Sequence, residues 1–273
     1  MKKKLFFLAF LFITIMVKGQ VFDTCIMRYK YVFSYQVDSL DTDTKRTDIM
    51  VLAIGNRTSV YYSKDAKIGD SLADADIKKG LSLNEMAANR GKYKIGKSRT
   101  MITKNYPENI ITVTDHLVMD NYKYTEPLTG QQWKILKDTA TLYGLQCQKA
   151  ITTFRGRDFE AWFTKDIPVA NGPWKFYGLP GLIVKVNDTK QQFSFEFNGI
   201  ELPGKNEQME VGQKKYILVS RKKLWNLKKE MCQHPLEFAM NRFNAMEIKA
   251  DGQPIPQSNL TDIPIPFNPI ELE

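Results

Sequence analysis

Strict alternation of aromatic and non-aromatic residues is the feature that most restricts what this chain can fold into. Between residues 29 and 36 every second residue is aromatic, namely Tyr29, Tyr31, Phe33 and Tyr35. A period of two places these rings on one face of an extended strand, because successive side chains of a strand point to opposite sides of the sheet. The segment is therefore predicted to be a half-buried β-strand with an aromatic face.

The same period recurs along the chain and predicts several strand pairs. Residues 50–54 and 59–62 flank Gly55-Asn56 and are predicted to form a hairpin. Residues 148–155 and 159–164 are predicted to be two further strands joined at Gly156. Apolar residues at 182, 184 and 186 and phenylalanines at 193, 195 and 197 flank a polar turn, so these two strands are expected to pair.

Helix signals are fewer. Ser82 with Glu85 three residues later is typical of a capping box, and it predicts a short helix inside the polar insertion at residues 64–90. A longer amphipathic helix is predicted from Ser220, with an interruption at His234-Pro235. The predicted class is mainly β (α+β): a single curved antiparallel sheet or half-barrel with a few helices. At the level of fold it is similar to the half-barrels of periplasmic lipoprotein-sorting carriers.

The N-terminus predicts export. Lys2, Lys3 and Lys4 precede an apolar run at residues 5–17 that is too short to span a bilayer comfortably, so residues 1–19 are predicted to be a signal peptide cleaved before Gln20. The mature chain, residues 20–273, is expected to be one domain with a Pro-rich tail from about residue 254. We predict a protein of the periplasm or the exterior, neither membrane-spanning nor a lipoprotein. The sequence does not distinguish the periplasm from the exterior.

Charge bears on the partners, and cysteine content bears on disulfide formation. Loss of the signal peptide lowers the net charge from +9 to +5, and this mild positive excess does not indicate nucleic-acid binding. Three cysteines remain after processing, Cys25, Cys147 and Cys232, so an oxidising compartment permits one disulfide and leaves one thiol, with all three pairings open.

The segment Gly178, Leu179, Pro180, Gly181, Leu182, Ile183 resembles a motif more than any other part of the chain. Pro180 presets φ near −65° and Gly181 tolerates positive φ, so Leu179–Leu182 is predicted to be a type II turn that enters a strand. A phosphate-binding loop needs Lys-Ser/Thr after its last glycine, or a third glycine that opens a helix. Both features are missing, so a structural turn is favoured over a ligand loop.

Short motifs around this segment carry a family resemblance. They are the runs that begin at Cys147, Phe154, Ala161, Ile167, Gly172 and Gly178, together with Asn-Pro-Ile-Glu-Leu at residues 268–272. In this order they resemble the GLPGLI family of exported proteins from Gram-negative bacteria. The resemblance implies no established activity, cofactor or catalytic residue.

Candidate catalytic groups are sparse. Asp158 and Glu160 flank Phe159 on one predicted strand face, and Cys147 with His116 or His234 is a conceivable nucleophile pair. For both sets a structural role is favoured. Neither Gly-x-Ser-x-Gly nor His-Glu-x-x-His occurs, and no metal-ligand spacing occurs beyond Cys232-Gln233-His234. We therefore predict no catalytic residue, no cofactor and no metal.

Aromatic residues around the Pro-Gly turn favour a binding role over catalysis, although core packing is their commonest use. The candidate groove residues are Trp162, Phe163, Trp174, Phe176 and Tyr177. A basic helix face is the candidate contact with an anionic membrane surface, and its residues are Lys222, Lys223, Trp225, Lys228 and Lys229. The predicted function is a non-catalytic binding or chaperone-like module for a lipid, a peptide or an envelope protein. The alternative is a hydrolase of an unrecognised type that uses Asp158, Glu160 or Cys147.

Overall fold

A computed structural model describes residues 21–210, 214–243 and 261–272. The predicted signal peptide, its cleavage site and the start of the Pro-rich tail lie outside these residues. The strands are β1 Val21–Thr24, β2 Met27–Asp38, β3 Asp41–Ile54, β4 Thr58–Ser63, β5 Met101–Asn105, β6 Ile110–Leu117, β7 Asp120–Pro127, β8 Lys134–Leu142, β9 Leu145–Phe154, β10 Arg157–Thr164, β11 Leu182–Asp188, β12 Phe193–Glu201, β13 Gln208–Glu210 and β14 Ile217–Leu218. The helices are α1 Lys64–Lys78, α2 Leu83–Ala88, α3 Arg221–Gln233 and α4 Pro235–Phe243, and a 3₁₀ turn covers Arg90–Lys92.

One curved, unclosed sheet dominates the fold, as predicted. Its order is β14-β7-β6-β5-β4-β3-β2-β12-β11-β10-β9-β8, and its neighbours are antiparallel except for the parallel pair β14–β7. The predicted hairpin is confirmed by pairing of Leu52 with Tyr61. Pairing of Val186 with Phe195 confirms the match of β11 with β12. The predicted pair β9–β10 is confirmed as well.

Two helices lie in the polar insertion, where the sequence predicted a single short one. The capping box is present: the Ser82 hydroxyl accepts a hydrogen bond from the Glu85 amide, and the Glu85 carboxylate accepts one from the Ser82 amide. The longer helix α1 was missed. Ser63 caps it through the Ala66 amide, and the helix buries mainly small or polar residues, Ala66, Gly69 and Asp76, so no apolar stripe marked it.

The predicted C-terminal helices are confirmed. The Ser220 hydroxyl accepts a hydrogen bond from the Lys223 amide at the start of α3, and Leu224 and Leu227 form the buried stripe. Helix α3 ends where Pro235 begins α4, because proline tolerates the first position of a helix but not its interior. Within the described residues, no helix is both long and apolar enough to cross a bilayer.

The larger hydrophobic core lies on one face of the sheet, here called the inner face. A small second cluster is formed by Cys25, Ala53, Val60 and Met209. In the larger core, Tyr31, Phe159 and Phe195 are almost completely buried. Phe33 stacks on Phe195 with ring centroids 4.6 Å apart, as expected for directly paired positions on β2 and β12. The aromatic strand face predicted from the sequence is therefore the centre of the core.

The Pro-Gly segment forms a tighter turn than predicted. The Gly181 amide donates to the Leu179 carbonyl at 2.8 Å, so the turn spans three residues around Pro180. The amide of Leu182, which closes a type II turn, instead donates to the Ile167 carbonyl at 3.0 Å. Gly181 has φ +147°, and a Cβ there would lie 1.9 Å from the Thr164 carbonyl oxygen. The glycine is therefore required for close backbone approach as well as for its φ angle.

Candidate functional site

An open cavity of about 390 Å³ lies on the inner face; we call it the inner cavity. Its volume is within the range of small-molecule pockets, about 300–1,000 Å³. The sheet supplies an aromatic and aliphatic floor, and helix α3 and the C-terminal segment supply the opposite wall. The apolar lining residues are Phe33, Tyr35, Met50, Tyr61, Ile102, Leu117, Trp174, Met231, Cys232, Phe267 and Ile270.

The floor is made by the alternating aromatics of β2. Phe33 and Tyr35 are half-buried, and their rings stack with centroids 5.1 Å apart. Further along the same face of this strand, Tyr31 is completely buried and donates its hydroxyl to the Ile183 carbonyl at 2.8 Å. The same face of β2 is therefore closed in the core at Tyr31 and partly open to the cavity at Phe33 and Tyr35.

A buried ion cluster holds the C-terminal segment against the sheet. Lys175 is 1% exposed, and its Nζ lies 2.6 Å from Glu126 Oε1, 2.5 Å from Glu271 Oε1 and 2.9 Å from the Tyr124 hydroxyl. Arg221 of α3 pairs with the other oxygen of Glu271 at 3.2 Å. This cluster joins a core loop, a strand, a helix and the C-terminal segment, and so it positions the cavity wall.

A second buried cation fixes the same segment further upstream. Arg157 pairs with Asp188 at 3.1 Å, and it also donates to Asn268 Oδ1 at 2.7 Å and to the Pro269 carbonyl at 2.9 Å. Asn268 in turn donates to the Gln36 carbonyl at 2.9 Å. Residues from several of the motifs that carry the family resemblance thus meet in the fold, and their contacts position the tail.

A buried lysine, Lys104, stabilises the loop that carries Trp174, and burial lowers its pKa well below the ordinary value. Lys104 is 1% exposed, and its Nζ donates to Asn171 Oδ1 and the Gly172 carbonyl at 2.9 Å and to the Phe176 carbonyl at 2.8 Å. Three acceptors match the three protons of an ammonium group. The loop is therefore fixed to β5, and Trp174 is held at the edge of the inner cavity.

Basic residues lie at the mouth of the inner cavity. Lys97 is exposed, Arg99 pairs with Asp70 at 3.0 Å, and Lys228 of α3 pairs with buried Asp115. Asp115 also accepts a hydrogen bond from the Thr100 hydroxyl at 2.6 Å. The Lys228–Asp115 pair is thus a bridge from α3 to the end of β6, across the mouth.

A polar groove of about 730 Å³ adjoins this mouth; we call it the outer groove. It lies beside α1, and it shares Ser98, Arg99, Thr100, Asp115 and His116 with the inner cavity. Asp70 of α1 lies in it, with Lys214 Nζ at 2.8 Å. Burial opposes ionisation of Asp70, but hydrogen bonds from Lys214 and the charge of Arg99 outweigh burial and lower the pKa of this carboxyl below its ordinary value.

One buried polar atom at the floor lacks a partner. Tyr61 is 2% exposed and lines the inner cavity, and its hydroxyl makes no hydrogen bond to any part of the chain that the structure describes. Burial, followed by the charges of Tyr31 and Asp48, raises the pKa of Tyr61 well above its ordinary value, so the group is a neutral hydrogen-bond donor. An unpaired buried hydroxyl costs free energy unless a bound group or water satisfies it.

The candidate groove residues have different environments. Phe163 and Phe176 are completely buried in the core, and Phe176 packs edge-on against Phe159. Trp162 and Tyr177 are half-buried, and Trp162 contacts the Lys149 ammonium at 5.7 Å from the ring centroid. Of the five, Trp174 alone lines the inner cavity.

The candidate surface contact is divided between two roles. Lys222, Lys223 and Lys229 are exposed on α3. Lys228 is half-buried and pairs with Asp115, and the Trp225 indole donates to the Glu271 carbonyl at 3.0 Å. Two of the five residues therefore have contacts inside the protein.

The candidate catalytic groups do not converge. Asp158 is exposed and accepts a hydrogen bond from the Thr153 hydroxyl at 2.5 Å, whereas Glu160 pairs with Lys149 at 2.6 Å. Cys147 is buried, its thiol donates to the Leu145 carbonyl, and burial raises its pKa. All three cysteines are free thiols, so none of the possible pairings is formed.

One cluster contains metal-ligand residue types. Ligand atoms of His234, Glu237 and Asp262 lie within 4.8 Å of one another at the start of α4. Asp262 already accepts a hydrogen bond from the Leu236 amide at 2.9 Å and lies 3.5 Å from His234 Nδ1. We assign this cluster to capping of the helix.

Sequence reasoning missed most of the cavity residues. Tyr61 was recognised only as part of a strand. Lys97 and Arg99 lie in a segment whose apolar residues recur with neither a strand nor a helix period. Met231 lies in the amphipathic helix that was predicted from Ser220, but it was not named as a site residue. The signal that was available is that Phe33 and Tyr35 continue the aromatic face of β2 beyond Tyr31, although the sequence does not show where burial ends.

Comparisons with known proteins show fold similarity and leave the activity unassigned. A solved structure of PNGF-II in space group P21 is similar with a TM-score of 0.50 at 13% identity, covering 74% of this chain and 33% of that one. The C2 form gives a TM-score of 0.46 at 12% identity. The aligned region thus spans about one third of that protein. No curated protein matches in sequence.

A family model matches part of the chain. It covers residues 83–185 and is described as "Protein of unknown function (Porph_ging)". The matched region contains the Gly-Leu-Pro-Gly-Leu-Ile segment, which is compatible with the resemblance to the GLPGLI family. In this region the chain is similar to a family of unknown function.

Proposed function

We propose that this protein is an exported, non-catalytic binding module that holds an apolar ligand in the inner cavity. The observation that carries the proposal is the partly open aromatic floor: Phe33 and Tyr35 remain half-buried beside a closed core. Aromatic surface left accessible in a concave site is a common feature of small-molecule pockets. A lipid or an apolar peptide side chain fits this lining.

The arrangement of polar groups supports binding over hydrolysis. Asp158 contacts Thr153 of β9, and Glu160 pairs with Lys149 of β9. Neither carboxylate lines the inner cavity. Cys147 lacks the lowered pKa of an activated thiol, because burial raises it. The buried basic side chains of Lys104, Arg157 and Lys175 are engaged in positioning the loop and tail.

A cavity-filling variant tests the proposal. Met231 is half-buried on α3 and lines the inner cavity, so Met231→Trp places a bulky ring in it. We expect the neutral dye Nile red to bind the wild type with enhanced fluorescence, and Met231→Trp to weaken its affinity about tenfold or more. Met240→Trp is the matched control, because Met240 is also half-buried on a helix and does not line the cavity.

Both variants must retain the wild-type circular dichroism spectrum. Equal dye affinity in Met231→Trp and wild type contradicts the proposal, as does an equal loss in Met240→Trp. Native mass spectrometry of the freshly purified protein, followed by organic extraction, identifies any apolar molecule that co-purifies.

A further inference from the structure

We propose that the ligand of the inner cavity is an amphiphile with a hydrocarbon chain and a negatively charged head group. The inference rests on the proposed function and adds the chemical class of the ligand. The chain packs on the aromatic floor, and the head lies at the mouth, where the inner cavity meets the outer groove.

The first argument is the unpartnered Tyr61 hydroxyl. It lies in the cavity lining, is a neutral donor and is 2% exposed, so a ligand oxygen is the natural acceptor. Tyr61 pairs with Ile102 of β5, and β5 directly follows the segment 97–100, so Tyr61 lies on the side of the floor next to the mouth.

The second argument is the balance of charge at the mouth. The basic residues that line the two spaces are Lys67, Lys78, Lys97, Arg99, Lys214 and Lys228, and the acidic residues are Asp70, Asp74 and Asp115. Six cations against three carboxylates leave a positive excess. Arg99 and Lys214 share Asp70, and Lys228 pairs with Asp115.

Lys97 takes part in no ion pair among the described residues, and it is exposed at the rim. Its ammonium is therefore available to a ligand head group. A negatively charged head group is attracted by this positive excess, whereas a cationic head would add to it.

The third argument is the polarity gradient between the two connected spaces. The inner cavity is mainly aromatic and aliphatic, whereas the outer groove beside α1 contains Lys67, Asp70 and Asp74. An amphiphile can place its hydrocarbon chain in the inner cavity and its polar head towards the outer groove, so that no unpaired charge is buried.

A displacement series tests the class. At submicellar concentration we expect laurate to displace Nile red with a Kd at least about tenfold lower than dodecyltrimethylammonium, which has a chain of the same length and the opposite charge. A free carboxylate and an acyl phosphodiester share the required chemistry, so lauroyl lysophosphatidylglycerol is measured beside laurate. The tighter of the two identifies the head group.

Two variants locate the head group. Tyr61→Phe removes only the hydroxyl and should weaken laurate binding about tenfold while leaving Nile red affinity unchanged. Lys97→Gln should weaken laurate about threefold to tenfold and reduce the salt dependence of binding. Lys137→Gln is the charge-matched control, because Lys137 is exposed on β8, away from both spaces.

Tyr61→Phe also has a stability readout. Because the hydroxyl has no partner in the described chain, the ligand-free variant should melt at the same temperature as the wild type or higher. A lower melting temperature, or a laurate affinity no better than that of the cationic amphiphile, overturns this inference. If Nile red still binds the wild type and Met231→Trp still weakens that binding, the proposed function survives that failure; if Nile red does not bind, both fail.

Discussion

Lys175 and Glu271 are 96 residues apart in sequence and form an ion pair of 2.5 Å in the protein interior. Lys175 belongs to the loop that precedes the Pro-Gly turn, and Glu271 belongs to the C-terminal segment. Glu126 of β7 completes the cluster at 2.6 Å. The pair therefore closes the inner face of an open sheet with a segment that has no regular secondary structure of its own.

Removal of Lys175 should be strongly destabilising. Lys175→Met removes the cation that Glu126 and Glu271 share. Each carboxylate keeps one arginine partner, Arg155 or Arg221, so we expect a loss of about 1.5–3 kcal/mol from the missing hydrogen bonds between charged groups. The free energy of unfolding, measured by urea denaturation, checks this. Lys185→Met is the control: its partner Glu196 is 3.5 Å away and both side chains are at least one third exposed, so we expect a loss below about 1 kcal/mol. Equal losses of unfolding free energy in the two variants would show that the buried cluster stabilises the fold no more than an exposed ion pair does.

Substitutions in the Pro-Gly segment should follow the order of their contacts. Gly181→Ala places a Cβ against the Thr164 carbonyl and should cost more than about 2 kcal/mol. Gly178→Ala, at φ +91° with open space around it, should cost about 1–2 kcal/mol. Pro180→Ala should cost about 0.4–1 kcal/mol, mainly through the unfolded chain. Denaturant melts give the order, and a Gly181→Ala protein as stable as the wild type would rule out the close approach.

The ionised carboxylate of Asp70 should stabilise the fold, and this contribution should be lost at acid pH. Its folded pKa is lower than the ordinary value of 3.8, so its contribution is fully present above pH 3.8 and is lost as the pH falls through the folded pKa. The difference in melting temperature between wild type and Asp70→Asn should therefore shrink below about pH 4. A difference between wild type and Asp70→Asn that is constant with pH would contradict the assignment.

The three thiols should differ in reactivity. Burial raises the pKa of Cys25, Cys147 and Cys232, so alkylation at neutral pH should be slow for all of them. Cys232 is half-buried and lines the inner cavity, so it should react first with iodoacetamide, and a bound apolar ligand should slow its reaction several-fold. Peptide mass mapping over time checks both statements. Faster modification of Cys147 than of Cys232 would contradict the burial order.

Local pattern was sufficient for much of the fold. The period-two aromatic run predicted β2, the flanked Gly55-Asn56 predicted the β3–β4 hairpin, and Ser82 with Glu85 predicted the cap of α2. These features depend on neighbours in sequence, since strand alternation and capping are interactions over a few residues. Helix α1 escaped prediction because its buried residues are mainly small or polar and give no apolar period.

The candidate site depended on contacts over long sequence distances. The sequence determined that the chain has an aromatic strand face and a glycine-bracketed turn, because period and backbone freedom are properties of the local chain. Only the tertiary structure decided which aromatics are closed in the core, as for Phe176, and which remain partly open, as for Phe33. That division follows from where α3 and the C-terminal segment pack against the sheet. Their position depends on buried ion pairs such as Lys175–Glu271 and Arg157–Asp188, whose members are brought together only by folding.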